Sequence, residues 1–568
     1  MSLTRRWKYK PVPSVESVEA LSAVLNLNPY LTSVLLQRGI ADFETARYFF
    51  RPQLEHLHDP FLMKDMEAAV VRLHRAIQNQ ERILIYGDYD VDGTTSVALV
   101  YRYLRSFYSN IAFYIPDRYA EGYGVSQTGI LWAEENQYTL IIALDLGIKS
   151  SDMVVLAAHK GIDFIICDHH LPGGDIPQAV AVLDPKREDC NYPFQELSGC
   201  GLGFKLIQAY ARRYRIEKEV FELLDLVAVS IASDIVPING ENRTLAYFGL
   251  LKLNNDPCPG LKALKEIAAI KSDLDISGIV FTLGPRINAA GRVAHAHGAV
   301  ELLISQTEEE AFSFAEKVNI KNDLRREFDL SITEEAIAMI ENDERLRNRK
   351  STVLFKNTWH KGVIGIVAAR CVERFYRPTI ILTESNDKLT GSARSVNGFD
   401  LYEAISQCGD LLEKFGGHKY AAGLTLSRDN LEAFEERFEK IVSERMTEEL
   451  QTPVVEIDLV IPLEAIHGKF LNILKQMAPF GPENQKPVFE ARNVYVVNSL
   501  SNFKDRHVRF LAGQDGSDAI FQAIAFDLIE HYDRLAAGDR FRMAFTVEEN
   551  TFNGQTSLQL RVRDLKFD

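Results

Sequence analysis

The sequence has few cysteines, no long apolar run and no excess of basic residues. Its 568 residues include only six cysteines, which are scattered and form no C-x-x-C pair. This pattern argues against a zinc ribbon and a disulfide framework, so we expect the cysteines to be small core residues. The apolar stretches at 141–148 and 223–238 are interrupted by aspartates. They are shorter than the roughly 20 apolar residues that span a bilayer, so we expect no membrane span.

The first residues and the charge exclude further classes of protein. The sequence opens with MSLTRRW, and no apolar segment comes after it, so we expect no secretory signal and interpret the protein as cytoplasmic. The formal net charge is −15, from 64 Lys+Arg against 79 Asp+Glu. This excludes a protein that coats polyanions through a generally basic surface, and any contact with nucleic acid must be local.

The composition and length indicate several globular domains. Hydrophobic residues make up 46% and charged residues 25% of the chain, as in average globular proteins, and at roughly 150 residues per domain the length predicts about four domains. Short apolar strands alternate with helical patterns from 83 to about 238, which is typical of a parallel sheet. The predicted strands are 83–86, 140–144, 164–167 and 180–183, with a helix at 95–107 after the first.

The second half of the chain predicts a long helix, a smaller α/β domain and a barrel. A charged helical pattern runs from 305 to about 343 and opens with a capping box between Thr307 and Glu310. Strands at 352–355 and 379–382, with helices at 363–374 and 430–444, indicate the smaller α/β domain. Several short strands without long helices then predict a small β-barrel. These strands are 454–461, 494–497, 507–511, 520–526, 541–547 and 558–562, with a turn signal at Asn553-Gly554.

The first motif that indicates chemistry is GDYDVDGTTS at 87–96, directly after a predicted strand. Its three alternating carboxylates resemble the start of a calcium-binding helix–loop–helix loop. That interpretation fails because Leu99 stands where the bidentate Glu is required and because a strand, not a helix, precedes the loop. A strand followed by Asp-x-Asp and a helix N-terminus better fits a site for divalent metal and phosphate.

Later strands of the predicted sheet also end in ligand-type residues. Asp145 follows one strand, Asp168, His169 and His170 follow the next, and Asp234 follows a strongly apolar helix. Because ligands bind beyond the carboxyl ends of parallel strands, we expect these side chains to converge. Carboxylates with one or two imidazoles suit Mn²⁺ or Mg²⁺ better than zinc. So many acidic groups would repel each other around one cation, so we infer a two-metal site acting at phosphorus.

At this point the chain resembles the DHH phosphoesterase superfamily, and within it the RecJ family of single-stranded-DNA exonucleases. The motifs that carry the resemblance run across most of the chain. They are GDYDVDGTTS at 87–96, PDR at 116–118, EGYG at 121–124, LDLG at 144–147, DHHLP at 168–172, GPRINAAGR at 284–292, WHKGVIG at 359–365, GSARS at 391–395 and GGHKYAAG at 416–423. One departure is Asp184-Pro185, where the resemblance leads us to expect Asn-Pro.

The resemblance implies a role for each residue of the centre. The metal ligands would be Asp90, Asp92, Asp145, His169 and Asp234, with Asp145 bridging two ions of Mn²⁺ or Mg²⁺. Asp88 would either ligate a metal or orient a neighbouring ligand. His170 would contact the scissile phosphate, and Asp168 would fix an imidazole tautomer. The catalytic set is therefore Asp90, Asp92, Asp145, His169, His170 and Asp234.

The resemblance also implies contacts to the terminal phosphate. Guanidinium groups and small donors suit that task. We favour a functional role only where a glycine lets the backbone approach the phosphate, as at Gly291 and Gly391. The substrate-binding candidates are Arg118, Arg286, Arg292, Ser392, Arg394 and His418.

The whole chain is expected to be an α/β protein with five segments. We expect an N-terminal helical segment at 1–75 packing on a DHH domain at 76–300, a connecting helix at 301–347, a DHH-associated domain at 348–448 and an OB-fold-like domain at 449–568. Phe503-Lys504 and 506–510 interleave basic and aromatic residues, which fits single-strand binding and an ordinary strand face about equally.

The implied activity is 5′→3′ degradation of single-stranded DNA to mononucleotides in repair and recombination. A monomer is expected, with a helicase and a single-strand-binding protein as candidate partners. Two rivals stay open: a DHH phosphodiesterase acting on very short oligonucleotides or cyclic dinucleotides, and a catalytically silent DHH scaffold. The long helix and barrel disfavour the first rival, and the complete set of proposed ligands disfavours the second.

Overall fold

A computed structural model describes residues 4–215, 220–293, 295–552 and 555–567. The chain forms two compact units. We name Glu44–Leu324 together with Met477–Gln485 the parallel-sheet unit, and the remaining described residues the barrel unit. The predicted turn at Asn553-Gly554 lies outside the described residues. No described helix is both long and apolar enough to cross a bilayer.

Residues 4–80 contain one short strand and four α-helices. They are β1 (Arg6–Tyr9), α1 (Val15–Leu25), α2 (Pro29–Leu36), α3 (Phe43–Phe50) and α4 (Met66–Gln78). Helices α1 and α2 are capped at their N-termini by Ser14 and Asn28, whose side chains accept hydrogen bonds from backbone N–H groups of the first turn. Strand β1 belongs to the barrel unit. The bounds expected for the five segments of the chain stay a prediction.

A five-stranded parallel sheet forms the core of the parallel-sheet unit. Its elements are β2 (Ile83–Gly87), α5 (Val91–Arg105), β3 (Ile111–Tyr114), α6 (Gln127–Glu135), β4 (Leu140–Leu144), α7 (Ser151–His159), β5 (Asp163–Cys167) and β6 (Ala181–Leu183). The strand order is β3-β2-β4-β5-β6. Strands β2 and β4 are buried at every residue, because helices cover both faces of a parallel sheet.

Alternate residues of the central strands enter two different cores. Ile83, Ile85 and Ile142 pack in one apolar cluster with residues of α5, whereas Leu84 and Ile141 pack in another on the opposite face. This is the two-residue period of a strand. The structure extends the prediction by the edge strand β3 and by a helix α5 that begins four residues before its predicted start. Asp92 therefore lies in the first helical turn and not in the preceding loop.

Seven helices among the described residues complete this unit, and the last of them also contains residues of the barrel unit. They are α8 (Gly199–Tyr214), α9 (Leu224–Ser233), α10 (Gly240–Asn255), α11 (Pro259–Ile267), α12 (Ile276–Val293), α13 (His297–Ile304) and α14 (Glu308–Asn342). The hydroxyl of Thr307 accepts a hydrogen bond from the Glu310 N–H at 3.2 Å, as the capping box predicts. At 1.5 Å per residue, the 35 residues of α14 extend about 50 Å.

The barrel unit contains a mixed sheet with helices. Its elements are α15 (Glu344–Asn348), β7 (Thr352–Phe355), α16 (Ile364–Phe375), β8 (Thr379–Ser385), β9 (Lys388–Arg394), α17 (Leu401–Ser406), β10 (Lys414–His418), β11 (Ala421–Leu426) and α18 (Leu431–Arg445). The strand order is β10-β11-β9-β8-β7. Only β7 and β8 run parallel, and the other pairs are antiparallel.

The last strands of this unit close into a small barrel. The elements are β12 (Val454–Ile457), β13 (Leu459–Val460), α19 (Gly468–Gln476), β14 (Phe489–Phe503), β15 (His507–Gln514), β16 (Ser517–Ala525), α20 (Tyr532–Ala536), β17 (Phe541–Phe552) and β18 (Gln555–Phe567). The order β14-β15-β16-β18-β17 is closed by pairing of β17 with β14. Strand β1 pairs in parallel with β12. All six cysteines of the chain are buried and free, so their expected place in the core is confirmed.

Candidate metal centre

The candidate ligands emerge from one edge of the parallel sheet. Gly87 of β2 is aligned with Leu144 of β4, which is aligned with Cys167 of β5. Asp88, Asp145 and Asp168 are the next residues after these three, so the parallel register places them side by side at the carboxyl edge. The sequence pattern predicted this convergence.

Around His169 the structure brings together three carboxylates. Its Nε2 atom lies 3.2 Å from Oδ1 of Asp145, 3.6 Å from Oδ2 of Asp234 and 3.8 Å from Oδ2 of Asp92. Asp234 reaches the cluster because it directly follows the last residue of α9. His169 and three carboxylates from three other segments therefore face one point.

Further groups of ligand atoms adjoin this point. Atoms of Asp88, Asp90 and Asp145 lie within 4.8 Å of one another, as do those of Asp145, His169 and His170 and those of Asp92, His169 and Asp234. Asp145 belongs to two of the groups, which suits a residue proposed to bridge two cations. Metal ligation by these residues stays a prediction.

Local backbone and packing direct Asp145 into the cluster. Its φ is 63°, a left-handed conformation that few residues other than glycine adopt. Gly199, at the start of α8, lies against it: a Cβ at Gly199 would lie 2.6 Å from Cβ and 2.8 Å from Oδ1 of Asp145. Only a glycine allows this helix to come so close to the carboxylate.

The electrostatics of the cluster require positive charge. Burial, reinforced by the charges of Asp92 and Asp90, raises the pKa of Asp145 well above its usual range and raises the pKa of Asp234 to about 9. Burial likewise raises the pKa of Asp88, and the neighbouring charge of Asp90 adds to the effect. Carboxylates that resist ionisation in this way need a bound cation to be charged together.

The donor set fits a hard divalent cation. Both ring nitrogens of the buried His169, and Oδ1 of the buried Asp88, have no hydrogen-bond partner among the described residues. Buried polar atoms without partners are costly unless something binds them. Burial lowers the pKa of His169 and thus favours the neutral imidazole that binds metals. Oxygen-rich sets with an imidazole suit Mn²⁺ and Mg²⁺.

His170 is held by Asp168 beside this cluster. The carboxylate of Asp168 accepts hydrogen bonds from the N–H groups of Ile148, His169 and His170, and from Nδ1 of His170 at 2.7 Å. Burial opposes the charged imidazole, but the bond and charge of Asp168 outweigh it, so the pKa of His170 is raised. The Tyr123 hydroxyl lies 3.4 Å from both ring nitrogens of His170.

Two of the predicted phosphate-binding arginines flank the first carboxylate loop. The guanidinium of Arg118 lies over the ring of Tyr89, 4.9 Å from its centre, and the Tyr119 hydroxyl donates to the backbone carbonyl of Arg292. A Cβ at Gly291 would lie 2.6 Å from the Tyr89 carbonyl oxygen. Packing of α12 on the loop therefore requires this glycine, and its role toward a phosphate stays a prediction.

The third arginine of this unit is held by its own helix and by α14. Arg286 donates from Nε to the Asn319 side chain at 3.0 Å and from Nη1 to the Thr282 carbonyl at 2.7 Å. Its charge is thereby fixed in place, and its role toward phosphate stays a prediction.

Ser392, Arg394 and His418 share one region of the mixed sheet in the barrel unit. Arg394 of β9 and His418 of β10 are both aligned with Ala421 of the strand between them. Arg394 Nη1 lies 3.1 Å from the Ser392 hydroxyl, and a Cβ at Gly365 would approach both side chains to 3.0 Å or less. These three predicted residues thus form one group within their own unit.

The glycine beside this group has a packing role. A Cβ at Gly391 would lie 2.5 Å from Cδ2 of Leu382 and 3.3 Å from Leu424. The absence of a side chain there serves packing between neighbouring strands, and approach of the backbone to a phosphate stays a prediction.

An aromatic cluster lies on the barrel where the sequence interleaves aromatic and basic residues. The rings of Phe503, His507 and Phe526 have centres 4.9 to 6.2 Å apart, and Arg561 lies 5.3 Å from the centre of the Phe526 ring. Phe526 is 39% exposed. The sequence interpretation included the first two rings but neither Phe526 nor Arg561, which only the closed barrel brings next to them.

Sequence reasoning missed several neighbours of the centre. Gly199 and Ser230 carry no charge and lie in apolar helical stretches, so no pattern distinguished them from core residues. Tyr123 had a signal, since it stands between two glycines in the quoted EGYG motif, and both glycines have positive φ. That backbone orients the Tyr123 side chain toward His170.

Three family models match the chain in order. They are the DHH family N-terminal domain over residues 82–231, the DHHA1 domain over 348–444 and the RecJ OB domain over 457–564. These matches confirm the fold class predicted from the sequence.

Whole-chain relatives point to the same family. The single-stranded-DNA-specific exonuclease RecJ of Bacillus subtilis is 36% identical over 98% of this chain and 70% of its own length. That of Escherichia coli K12 is 33% identical over 95% of this chain and 96% of its length. A crystal structure of RecJ with Mn²⁺ from Thermus thermophilus has a TM-score of 0.85 at 25% identity, covering 99% of this chain and 80% of that one. The chain therefore belongs to the RecJ family.

Proposed function

We propose that this chain is a metal-dependent exonuclease that hydrolyses single-stranded DNA to mononucleotides from the 5′ end, in DNA repair and recombination. The observation that carries the proposal is the convergence of Asp92, Asp145 and Asp234 on His169 at the carboxyl edge of the sheet. Membership of the RecJ family supports the choice of single-stranded DNA as substrate.

The residues that would hold the cations are those of the cluster. Asp92, Asp145, His169 and Asp234 would hold one ion, and Asp88, Asp90 and Asp145 the other. Two ions of Mn²⁺ or Mg²⁺ supply the positive charge that stabilises the attacking and leaving oxygens of a displacement at phosphorus.

His170 supplies a proton donor next to the residues that would hold the ions. Its hydrogen bond to the Asp168 carboxylate keeps the pKa of Asp168 below its usual range despite burial, so this carboxylate accepts and Nδ1 of His170 donates. The raised pKa of His170 favours a proton on Nε2 as well. The imidazolium can then donate to a non-bridging oxygen of the scissile phosphate and stabilise its charge in the transition state.

Recognition of the end of the strand falls to groups outside the cluster. Arg118 and Arg292 flank Tyr89 in one unit, and Arg394 with Ser392 forms a second group in the other unit. Guanidinium beside a hydroxyl is a donor arrangement suited to phosphate. We propose each group as a phosphate-binding element, and the terminal phosphate as the feature that sets polarity.

An exonuclease of this kind depends on other activities to expose a single strand. We therefore propose a helicase and a single-strand-binding protein as partners, action as a monomer, and a cytoplasmic location. Light scattering of the purified chain at micromolar concentration tests the monomer directly.

Digestion of end-labelled DNA tests the activity itself. A 5′-labelled single strand should release labelled mononucleotide at once with Mn²⁺ or Mg²⁺ and remain intact with a chelator, and duplex DNA should be resistant. Asp145→Ala and His169→Ala should each reduce the rate by at least about 10³ while circular dichroism stays unchanged, since metal-ion charge stabilisation is lost. Asp175→Ala, at an exposed aspartate outside the cluster, is the control. Earlier release of a 3′ label would contradict the polarity.

A further inference from the structure

We propose that Ser230 is a positioning residue of the metal centre: its hydroxyl, supported by Ser198, holds the Asp92 carboxylate so that one oxygen faces His169. The inference rests on the proposed function, because it concerns how Asp92 meets the cation. Neither serine was identified from the sequence, and neither touches the proposed substrate contacts.

Three donors surround the carboxylate of Asp92. The Gly199 N–H donates to Oδ2 at 2.7 Å, and the Cys200 N–H donates to Oδ1 at 2.9 Å. The Ser230 hydroxyl lies 2.6 Å from Oδ1. Asp92 is only 2% exposed, so water does not substitute for any of these donors.

The two serines form a hydrogen-bond chain of fixed direction. An ionised carboxylate, the form that ligates a metal, only accepts hydrogen bonds, so the single proton of the Ser230 hydroxyl is donated to Asp92. The oxygen of Ser230 then accepts from the Ser198 hydroxyl at 2.6 Å, and Ser198 accepts from the Gly201 N–H at 3.1 Å. Both serines are fully buried, which removes competing partners.

This chain of hydrogen bonds leaves the two oxygens of Asp92 with different roles. Oδ1 receives two donors and has no lone pair to spare, whereas Oδ2 receives one donor and is the atom 3.8 Å from Nε2 of His169. Asp92 would therefore hold a cation through Oδ2 alone. Without the Ser230 hydroxyl, each oxygen keeps one backbone donor, and this distinction is lost.

Ser230 also ties Asp92 to another proposed ligand. Ser230 and Asp234 belong to the same turn at the end of α9, and the Asp234 N–H donates to the Ser230 carbonyl at 2.9 Å. The hydroxyl of Ser230 thus fixes the spacing between two carboxylates that share His169 as a neighbour. Residues that support metal ligands in this way typically affect metal affinity by about 10–100-fold.

Binding of Mn²⁺ without DNA tests the inference. Titration of Ser230→Ala with Mn²⁺, followed by the paramagnetic resonance signal of the free ion, should show one binding site weakened by about 10–100-fold. Ser230→Thr keeps the hydroxyl and should bind more tightly than the alanine variant. Ser305→Ala, which removes a buried hydroxyl bonded to the Glu301 carbonyl, is the matched control and should bind like the wild type.

The outcomes separate this inference from the proposed function. Wild-type Mn²⁺ affinity in Ser230→Ala overturns the positioning role, even if the wild type digests DNA. If the wild type binds Mn²⁺ and the variant binds it weakly, but no DNA is digested, the proposed function fails while the positioning role stands. If Ser230→Ala does not fold, Ser230→Cys takes its place: its weaker S–H donor should give an intermediate loss, and unchanged affinity overturns the inference.

Discussion

Asp184→Asn should stabilise the protein above neutral pH. Asp184 follows β6 and is fully buried; Oδ1 accepts from the Lys186 N–H at 2.8 Å, but Oδ2 has no partner among the described residues. Burial raises the pKa of Asp184 to about 7 against the Lys186 bond, and the charge of Asp168 adds to the rise. An asparagine keeps the acceptor and removes the charge.

The size and sign of the effect are set by the two pKa values. An unfolded aspartate titrates near 3.9, so the folded state binds the Asp184 proton more tightly across the window from about pH 4 to 7. The stability that the Asp184 proton contributes to the wild type is therefore lost as the pH rises through this window. Above the window, this group no longer changes the stability with pH. A difference of about three pKa units corresponds to at most about 4 kcal/mol, or roughly 10 °C in Tm for a domain of this size.

Thermal unfolding at several pH values measures this directly. Because a chain with two units unfolds in more than one step, the relevant transition is the one that Mn²⁺ shifts. With chelator, the Tm of Asp184→Asn minus that of the wild type should grow from pH 5 to 7 and level off by pH 8. Asp175→Asn, at an exposed site, should give no such trend. A difference that is flat with pH would refute the reasoning.

Three further predictions concern the metal centre and the barrel. Because the pKa of Asp234 is about 9, protons compete with cations, so the increase in Tm caused by Mn²⁺ should grow from pH 6 to 9; an increase independent of pH would contradict this. Gly199→Ala places a methyl group within 2.8 Å of Asp145 Oδ1 and should lower nuclease activity by about 10² while helix content by circular dichroism persists. Phe526→Ala should weaken binding of single-stranded DNA by about 1–3 kcal/mol, measured by fluorescence anisotropy, with Mn²⁺ affinity unchanged.

The parallel sheet could be predicted because its signal is local. Strand β4 was predicted with its observed bounds, and β2 and β5 to within one residue, since fully buried strands form continuous apolar runs. Strand β3 was missed because at the sheet edge only its first residue is buried. In the mixed sheet, β10 is exposed along its whole length and gives no alternation from which a strand could be recognised.

The charged part of the centre could be predicted for a related reason. Carboxylates and imidazoles stand out directly after apolar strands, and the carboxyl edge of a parallel sheet brings such residues together whatever their separation in sequence. The neutral supports could not be predicted. Ser230 lies 138 residues from Asp92, and nothing in a buried helix distinguishes a serine that holds a ligand from one that fills space.

The charge of the centre also determines the order in which its ligands bind. Asp145 and Asp234 have raised pKa values, so without a cation each carboxyl either keeps its proton or, once ionised, repels a phosphodiester. His170 and Arg118 supply positive charge beside the cluster. We therefore expect cations to bind before DNA, because they replace these protons and supply the positive charge that attracts a phosphate. A variant such as His170→Ala, in which turnover is slow, allows binding of a short single strand to be measured. Its affinity for that strand should rise with Mn²⁺ concentration and should follow the saturation of the metal sites.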